Sequence, residues 1–154
     1  MPGTTVALHI KFLREAARRA APAQATPDSA GVDLRAVLET PSLTIEPGAR
    51  AAVATGIAIE IGQPGIAGFI FSRSGLGAKH GLTVAQGVGV IDPDYRGEII
   101  VWLLNTSETP VTIQDGDRIA QLVLMPVYAP VVSIVEDLSD TARGAGGFGH
   151  TGKA

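Results

Sequence analysis

Short apolar runs rich in Val, Ile and Leu recur along this chain, and turn-forming residues cut them off. The runs are residues 6–12, 43–45, 52–61, 69–71, 98–104, 111–113, 118–125 and 131–135. Between them stand Glu46-Pro47-Gly48, Gly62-Gln63-Pro64-Gly65, Pro93-Asp94 and Asp115-Gly116. Runs this short suit strands rather than packed helices, so the pattern confines the chain to an all-β sandwich or barrel. Helix is expected only over 14–21, where Pro22 ends it, and for one turn over 76–80. The run 98–104 reads as a strand buried on both faces. Asp115-Gly116 reads as a hairpin turn between the runs on either side of it, and 131–135 as a last strand.

The 154 residues form one domain, long enough to bury roughly 70% of the unfolded surface without a metal or disulfide staple. There is no cysteine, which removes thiolate catalysis and Cys-based metal sites. The net charge of −3 opposes coating of a nucleic-acid backbone. No apolar run is long enough to span a membrane, and the basic residues follow the first apolar stretch, the reverse of a secretory signal. The cytoplasm is the expected compartment. The domain is expected over 1–140, followed over 141–154 by a flexible, Gly-rich arm without acidic residues.

Several segments carry candidate chemistry. The arm, RGAGGFGHTGKA, satisfies both G-x-G-x-x-G and G-x-x-x-x-G-K. Neither match is a fold signal, because such loops follow a strand and open a helix, and Ala154 stands where a magnesium-binding hydroxyl belongs. Its glycines can still converge backbone N–H groups on phosphate, with Arg143 and Lys153 adding charge. Arg73, Ser74 and Gly75 bring a guanidinium, a hydroxyl and a free N–H to one turn, a second phosphate grip. Asp92 lies between the apolar Val90-Ile91 and Tyr95. Partial desolvation there suits a base that takes a proton from water. Asp33 and Gln121 each interrupt an apolar run, a costly placement unless the polar group is used. His9, His80 and His150 form no triad, and no cluster has metal-ligand spacing. The residues therefore offer phosphate grips and a base without a nucleophile, which fits hydrolysis of a phosphorylated small molecule by activated water, with a metal borrowed by its phosphates.

Five segments together resemble the motifs of the trimeric dUTP diphosphatase (dUTPase) family: AGVDLRA, SRSGLGAKHGL, GVIDPDYRGEI, GDRIAQL and RGAGGFGHTG. They stand in the family's order over residues 30–152, with Lys79 thirteen residues before Asp92. The resemblance implies a jelly-roll β sandwich, a homotrimer with shared active sites, and the reaction of dUTP with water to give dUMP and pyrophosphate. That reaction keeps uracil out of DNA and supplies dUMP for thymidylate synthesis. Asp92 would activate the water. Asp33 would hold the hydration shell of Mg²⁺, itself chelated by the triphosphate. Arg73, Ser74, Gly75 and Gln121 would hold phosphates, and Tyr95 would pack on the deoxyribose. A hairpin over 86–91, with Gln86, Val90 and Ile91, would read uracil, and Ile100 would complete the pocket. Phe148 would stack on the base, while Arg143, Gly149, His150 and Thr151 grip the γ-phosphate. Gln86 replaces the Asn common in bacterial members, and His150 replaces the usual Ser. Two other readings share the fold or the ligand: a dCTP deaminase-like enzyme, and a non-catalytic nucleotide-sensing regulator.

Overall fold

The computed structural model describes residues 5–147 and turns the short runs into twelve strands. They are β1 (Leu8–Phe12), β2 (Ala23–Gln24), β3 (Gly31–Arg35), β4 (Ser42–Ile45), β5 (Arg50–Ala54), β6 (Ile57–Ile61), β7 (Ile66–Phe71), β8 (Leu82–Val84), β9 (Gly89–Ile91), β10 (Ile100–Asn105), β11 (Val111–Gln114) and β12 (Arg118–Pro126). Helix among the described residues is a 3-10 segment, Glu15–Ala20, and α1, Ser74–His80. Both sit where the sequence places them.

All strand pairing is antiparallel. One sheet runs β2-β3-β12-β7-β9, another β5-β10-β8, and β1-β6 and β4-β11 form two further pairs. Leu34 of β3, Ile57 of β6, Leu82 of β8, Leu103 of β10 and Leu122 of β12 are all fully buried in one cluster. Every one of the larger pieces therefore donates to the same core, as in a jelly-roll sandwich. Burial of each such side chain stabilises the fold by about 1.5–3 kcal/mol.

The run 52–61 is bent rather than straight. Gly56 takes a left-handed φ of +67°, and a Cβ there would stand 2.8 Å from that of Ala17. The bend sends β5 to pair with β10 and β6 to pair with β1.

Four expectations need correction. First, β10 is buried on one face only: Ile100 is 40% and Trp102 49% exposed. Second, Asp115-Gly116 is a turn, with Asp117 N–H donating to the Gln114 carbonyl, but it does not close a hairpin. Its flanking strands leave for different partners, β11 to β4 and β12 to β3 and β7. Third, β8 and β9, around the expected uracil-reading hairpin over 86–91, pair with β10 and β7 respectively rather than with each other. In each turn the chain crosses between sheets, which turn chemistry alone does not encode. Fourth, residues 131–135 are not a strand. Val131 and Ile134 are 97% and 98% exposed, and the segment pairs with no strand among the described residues.

Asn105 is the polar anchor of the core. It is fully buried, donates from Nδ2 to the carbonyls of Ile45 and Thr109 at 2.8 Å each, and accepts from Ser107 N–H at 2.9 Å. Although Asn105-Thr106-Ser107 matches a glycosylation acceptor, this burial leaves the side chain no access to such chemistry. Asn105→Leu removes the amide's two donations and the acceptor of Ser107 N–H, leaving only Ser107 Oγ on the Thr109 carbonyl, and should cost about 2–4 kcal/mol in denaturant unfolding.

Candidate active site

Two clefts hold most of the sequence-expected residues, and they lie at opposite ends of β7. The first is an open cleft of ≈ 270 Å³ that includes Asp33, Arg73, Ser74, Gly75 and Gln121. Asp33 on β3 and Gln121 on β12 are direct partners across the ladder. The Gln121 amide donates to the Ser72 carbonyl at 3.1 Å, and Ser72 Oγ accepts from Val84 N–H at 2.8 Å. These bonds fix the backbone just before Arg73. Gly31 makes room for the Gln121 side chain, since a Cβ there would come within 2.9 Å of Oε1. Ser74 and Gly75 are exposed at the start of α1, and outside the helix itself no described residue stands within 4 Å of a Cβ built on Gly75. Asp33 accepts from Arg73 Nε at 2.9 Å and from Arg118 Nη1 at 3.1 Å.

The second cleft, ≈ 220 Å³, includes Val90, Ile91, Asp92, Tyr95 and Ile100. Asp92 and Tyr95 occupy a turn closed by Tyr95 N–H donating to the Asp92 carbonyl at 3.0 Å. Arg96 braces it: Nη1 donates to the carbonyls of Pro93 at 2.8 Å and Tyr95 at 3.1 Å, while Nη2 meets Glu60 Oε1 of β6 at 3.2 Å. The Tyr95 hydroxyl donates to the Glu98 carbonyl at 3.0 Å. The ring lies against Gly97, where any Cβ would overlap the phenol. Glu98 accepts from Gly56 N–H at 2.9 Å and pairs with Arg14 at 3.1 Å, so its carboxylate serves the bend between β5 and β6. Asp92 is exposed among the described residues, contrary to the desolvation expected from its apolar neighbours.

Other expected residues fall elsewhere. Gln86 is exposed in the turn between β8 and β9 and lines neither cleft. Arg143 is exposed and donates to the Gly146 carbonyl at 2.8 Å. Phe148, Gly149, His150 and Thr151 lie outside the described residues.

The ladder sets the distance between the clefts. Phe71 of β7 faces Gln121, while Gly68 faces Ile91. Arg73 continues past one end of β7, and Asp92 continues toward the other. At ~3.3 Å per residue the two stand roughly 20 Å apart along the sheet.

Sequence reasoning did not single out Arg118, Arg96 or Gly97. Arg118 stands inside GDRIAQL and the other two inside GVIDPDYRGEI; Arg118 and Arg96 find partners on distant strands, and Gly97 is marked only by the turn that lays the Tyr95 ring against it.

The dUTPase family model matches residues 17–152. The chain is 47% identical over 148 residues to the deoxyuridine 5'-triphosphate nucleotidohydrolase of Desulfitobacterium hafniense, covering 96% of this chain and 97% of that protein. It is 54% identical over 133 residues to the enzyme of the same name from Idiomarina loihiensis, covering 86% and 87%. Among solved structures, the dUTPase of Staphylococcus bacteriophage 80alpha with dUPNHPP matches with a TM-score of 0.84 at 28% identity, over 96% of this chain and 99% of that one. A mutant dUTPase of phage phi11 of S. aureus, described for the coordination of a structural Mg(II) ion, matches with a TM-score of 0.75 at 25% identity, over 87% and 99%. The ordered motifs, the jelly-roll strands and these matches over most of its length agree: the chain belongs to the dUTPase family.

Proposed function

We infer that this chain hydrolyses dUTP to dUMP and pyrophosphate as a homotrimer whose active sites are shared between subunits. The observation that carries the reading is the split of the machinery between the two ends of β7. Arg73, Ser74, Gly75 and Gln121 of one subunit grip the phosphates, and Asp92 comes from a neighbour. Asp92 takes a proton from water as the water oxygen bonds to the α-phosphorus. The bond from that phosphorus to the bridging oxygen breaks, and pyrophosphate leaves. Positioning and charge neutralisation supply most of the acceleration in such chemistry.

The second cleft suits the nucleoside. Val90, Ile91 and Ile100 offer apolar walls, and the Tyr95 ring, held by Glu98 and Gly97, lies where it can exclude a 2′-hydroxyl. Backbone groups around Gln86 read the uracil. The arm over 141–154 closes the site, with Arg143, Gly149, His150 and Thr151 on the γ-phosphate and Phe148 on the base. Exposed apolar side chains support assembly: Trp102 and Ile100 on β10, and Val131, Val132, Ile134 and Leu138 beyond β12.

Magnesium fits this site as part of the substrate. Among the described residues no three His, Asp or Glu side chains converge on a point, and Asp33 already serves two guanidinium groups. Chelated by the triphosphate, the ion neutralises phosphate charge. Among the described residues no helix is long and apolar enough to cross a membrane, and we assign the reaction to the cytoplasm. The Glu98 carboxylate, spent on Gly56 and Arg14, does not favour the deaminase reading.

Pyrophosphate release measured with dUTP, dCTP, dTTP and UTP should show turnover of dUTP alone. Binding of dUTP without release would instead mark a regulator. Asp92→Asn should keep dUTP binding and lose turnover by a factor on the order of 10²–10⁴. Mixing Asp92→Asn with Arg73→Gln chains under refolding conditions should restore about a quarter of wild-type turnover, the fraction of sites that random mixing builds from two intact halves. No recovery would show that the site is not shared. Gly97→Ala pushes the Tyr95 ring off Glu98, so the preference for dUTP over UTP in kcat/KM should shrink by about tenfold. An unchanged ratio would remove Tyr95 from sugar selection.

A further inference from the structure

The chain from Asp92 to Arg96 is exposed at five consecutive positions, so among the described residues no core packing holds it in place. On either side the backbone is anchored. Ile91 is buried at the end of β9, and buried Ile99 donates its N–H to the Ile57 carbonyl of β6 at 2.9 Å. Between those anchors the turn is held by polar bonds. Tyr95 N–H donates to the Asp92 carbonyl at 3.0 Å, and Arg96 Nη1 donates to the carbonyls of Pro93 at 2.8 Å and Tyr95 at 3.1 Å.

Glu60 decides where that guanidinium points. Arg96 Nη2 meets Glu60 Oε1 at 3.2 Å. Glu60 stands on β6 between buried Ile59 and Ile61, so its backbone is fixed by the core. Its other oxygen, Oε2, lies 3.5 Å from Nδ1 of His9, its ladder partner on β1. A guanidinium is planar and its donors keep fixed directions, so holding one end on Glu60 aims the other at the two carbonyls. The Pro93 ring sets φ at about −65°, and a bond on the Pro93 carbonyl sets the rotation that remains. Both soft torsions of the residue after Asp92 are thereby fixed.

Stability gains little from this pair, since the Arg96 and Glu60 side chains are 50% and 54% exposed. Placement gains more. A catalytic group displaced by a fraction of its reach loses rate steeply. Neither residue lines the two clefts given to the nucleotide. We propose that Arg96 and Glu60 are positioning residues: Glu60 aims the Arg96 guanidinium, which holds the turn so that the Asp92 carboxylate meets the attacking water. They act on turnover and not on affinity. The proposal rests on Asp92 being the base.

Three variants of the full chain test it, singly and combined: Arg96→Gln, Glu60→Gln and Asp92→Asn. Arg96→Gln should lower kcat for dUTP about tenfold, with KM and the unfolding midpoint little changed. Glu60→Gln should lower kcat by a smaller factor. The pair of changes together should be no slower than Arg96→Gln, because Glu60 acts through Arg96. In an Asp92→Asn background the Arg96 change should leave the residual turnover as it is, since no base remains to be misplaced. A second readout is independent of activity. Exchange of the Tyr95 amide hydrogen, followed by NMR, should quicken about tenfold in Arg96→Gln and less in Glu60→Gln. Unchanged exchange overturns the brace. Quickened exchange with wild-type kcat overturns its part in catalysis, as does a further tenfold loss on top of Asp92→Asn. Wild-type turnover by Asp92→Asn alone would instead overturn the base assignment, while the exchange rates still decide whether Arg96 and Glu60 hold the turn.

Discussion

Hydrogen bonding on both edges of β7 is the constraint from which the site follows. One edge pairs with β12 and the other with β9, both antiparallel, so register alone decides what stands at each end. The β12 edge brings Gln121, and through it Asp33, to the end where Arg73 leaves the strand. The β9 edge carries the chain back toward the start of β7 and releases Asp92 there. A slip of one residue on either edge would turn every side chain of the slipped strand to the other face and break this placement. The core cluster around Leu34 and Leu122 protects that register, since both buried side chains lie beside the ladder.

The parts of the molecule legible in sequence are those with a local cause. Turn residues and short β-branched runs mark the strands, and Asp33 and Gln121 stand out because each breaks an apolar run. The motifs around Arg73 and Asp92 carry their residue types and spacing within a few positions. Strand partnership is not local. Asp115-Gly116 has the chemistry of a hairpin turn, yet the sheets on either side decide that it does not close one. The exposure of Ile100 and Trp102 is equally hidden, because a continuous apolar run reads alike in sequence whether one face of the strand or both are covered.

Long-range polar contacts were the other hidden layer. Glu98 reaches Gly56 and Arg14, Arg96 reaches Glu60, and Asp33 reaches Arg118, 85 positions further along the chain. Each ties a loop or strand end to a distant strand. The exposed pair of Arg96 with Glu60 contributes little to stability of itself. The value of these contacts is geometric: Arg96 grips two carbonyls of the turn that presents Asp92, and Asp33 grips the heads of two arginines. An Arg or Glu in a polar stretch gives no sign of such a role until its partner is known.

The exposed run at 131–135 has a consequence for the life of the chain before assembly. Val-Val-Ser-Ile-Val combines high β-propensity with no charge, the composition of segments that stack into cross-β aggregates. Pro126 and Pro130 precede it, and Glu136, Asp137 and Asp140 follow it. Prolines interrupt a growing ladder and repeated carboxylates repel when chains align in register, so these neighbours act as gatekeepers. A strongly β-prone, exposed segment is thus flanked by residues that discourage indefinite stacking of one chain on the next.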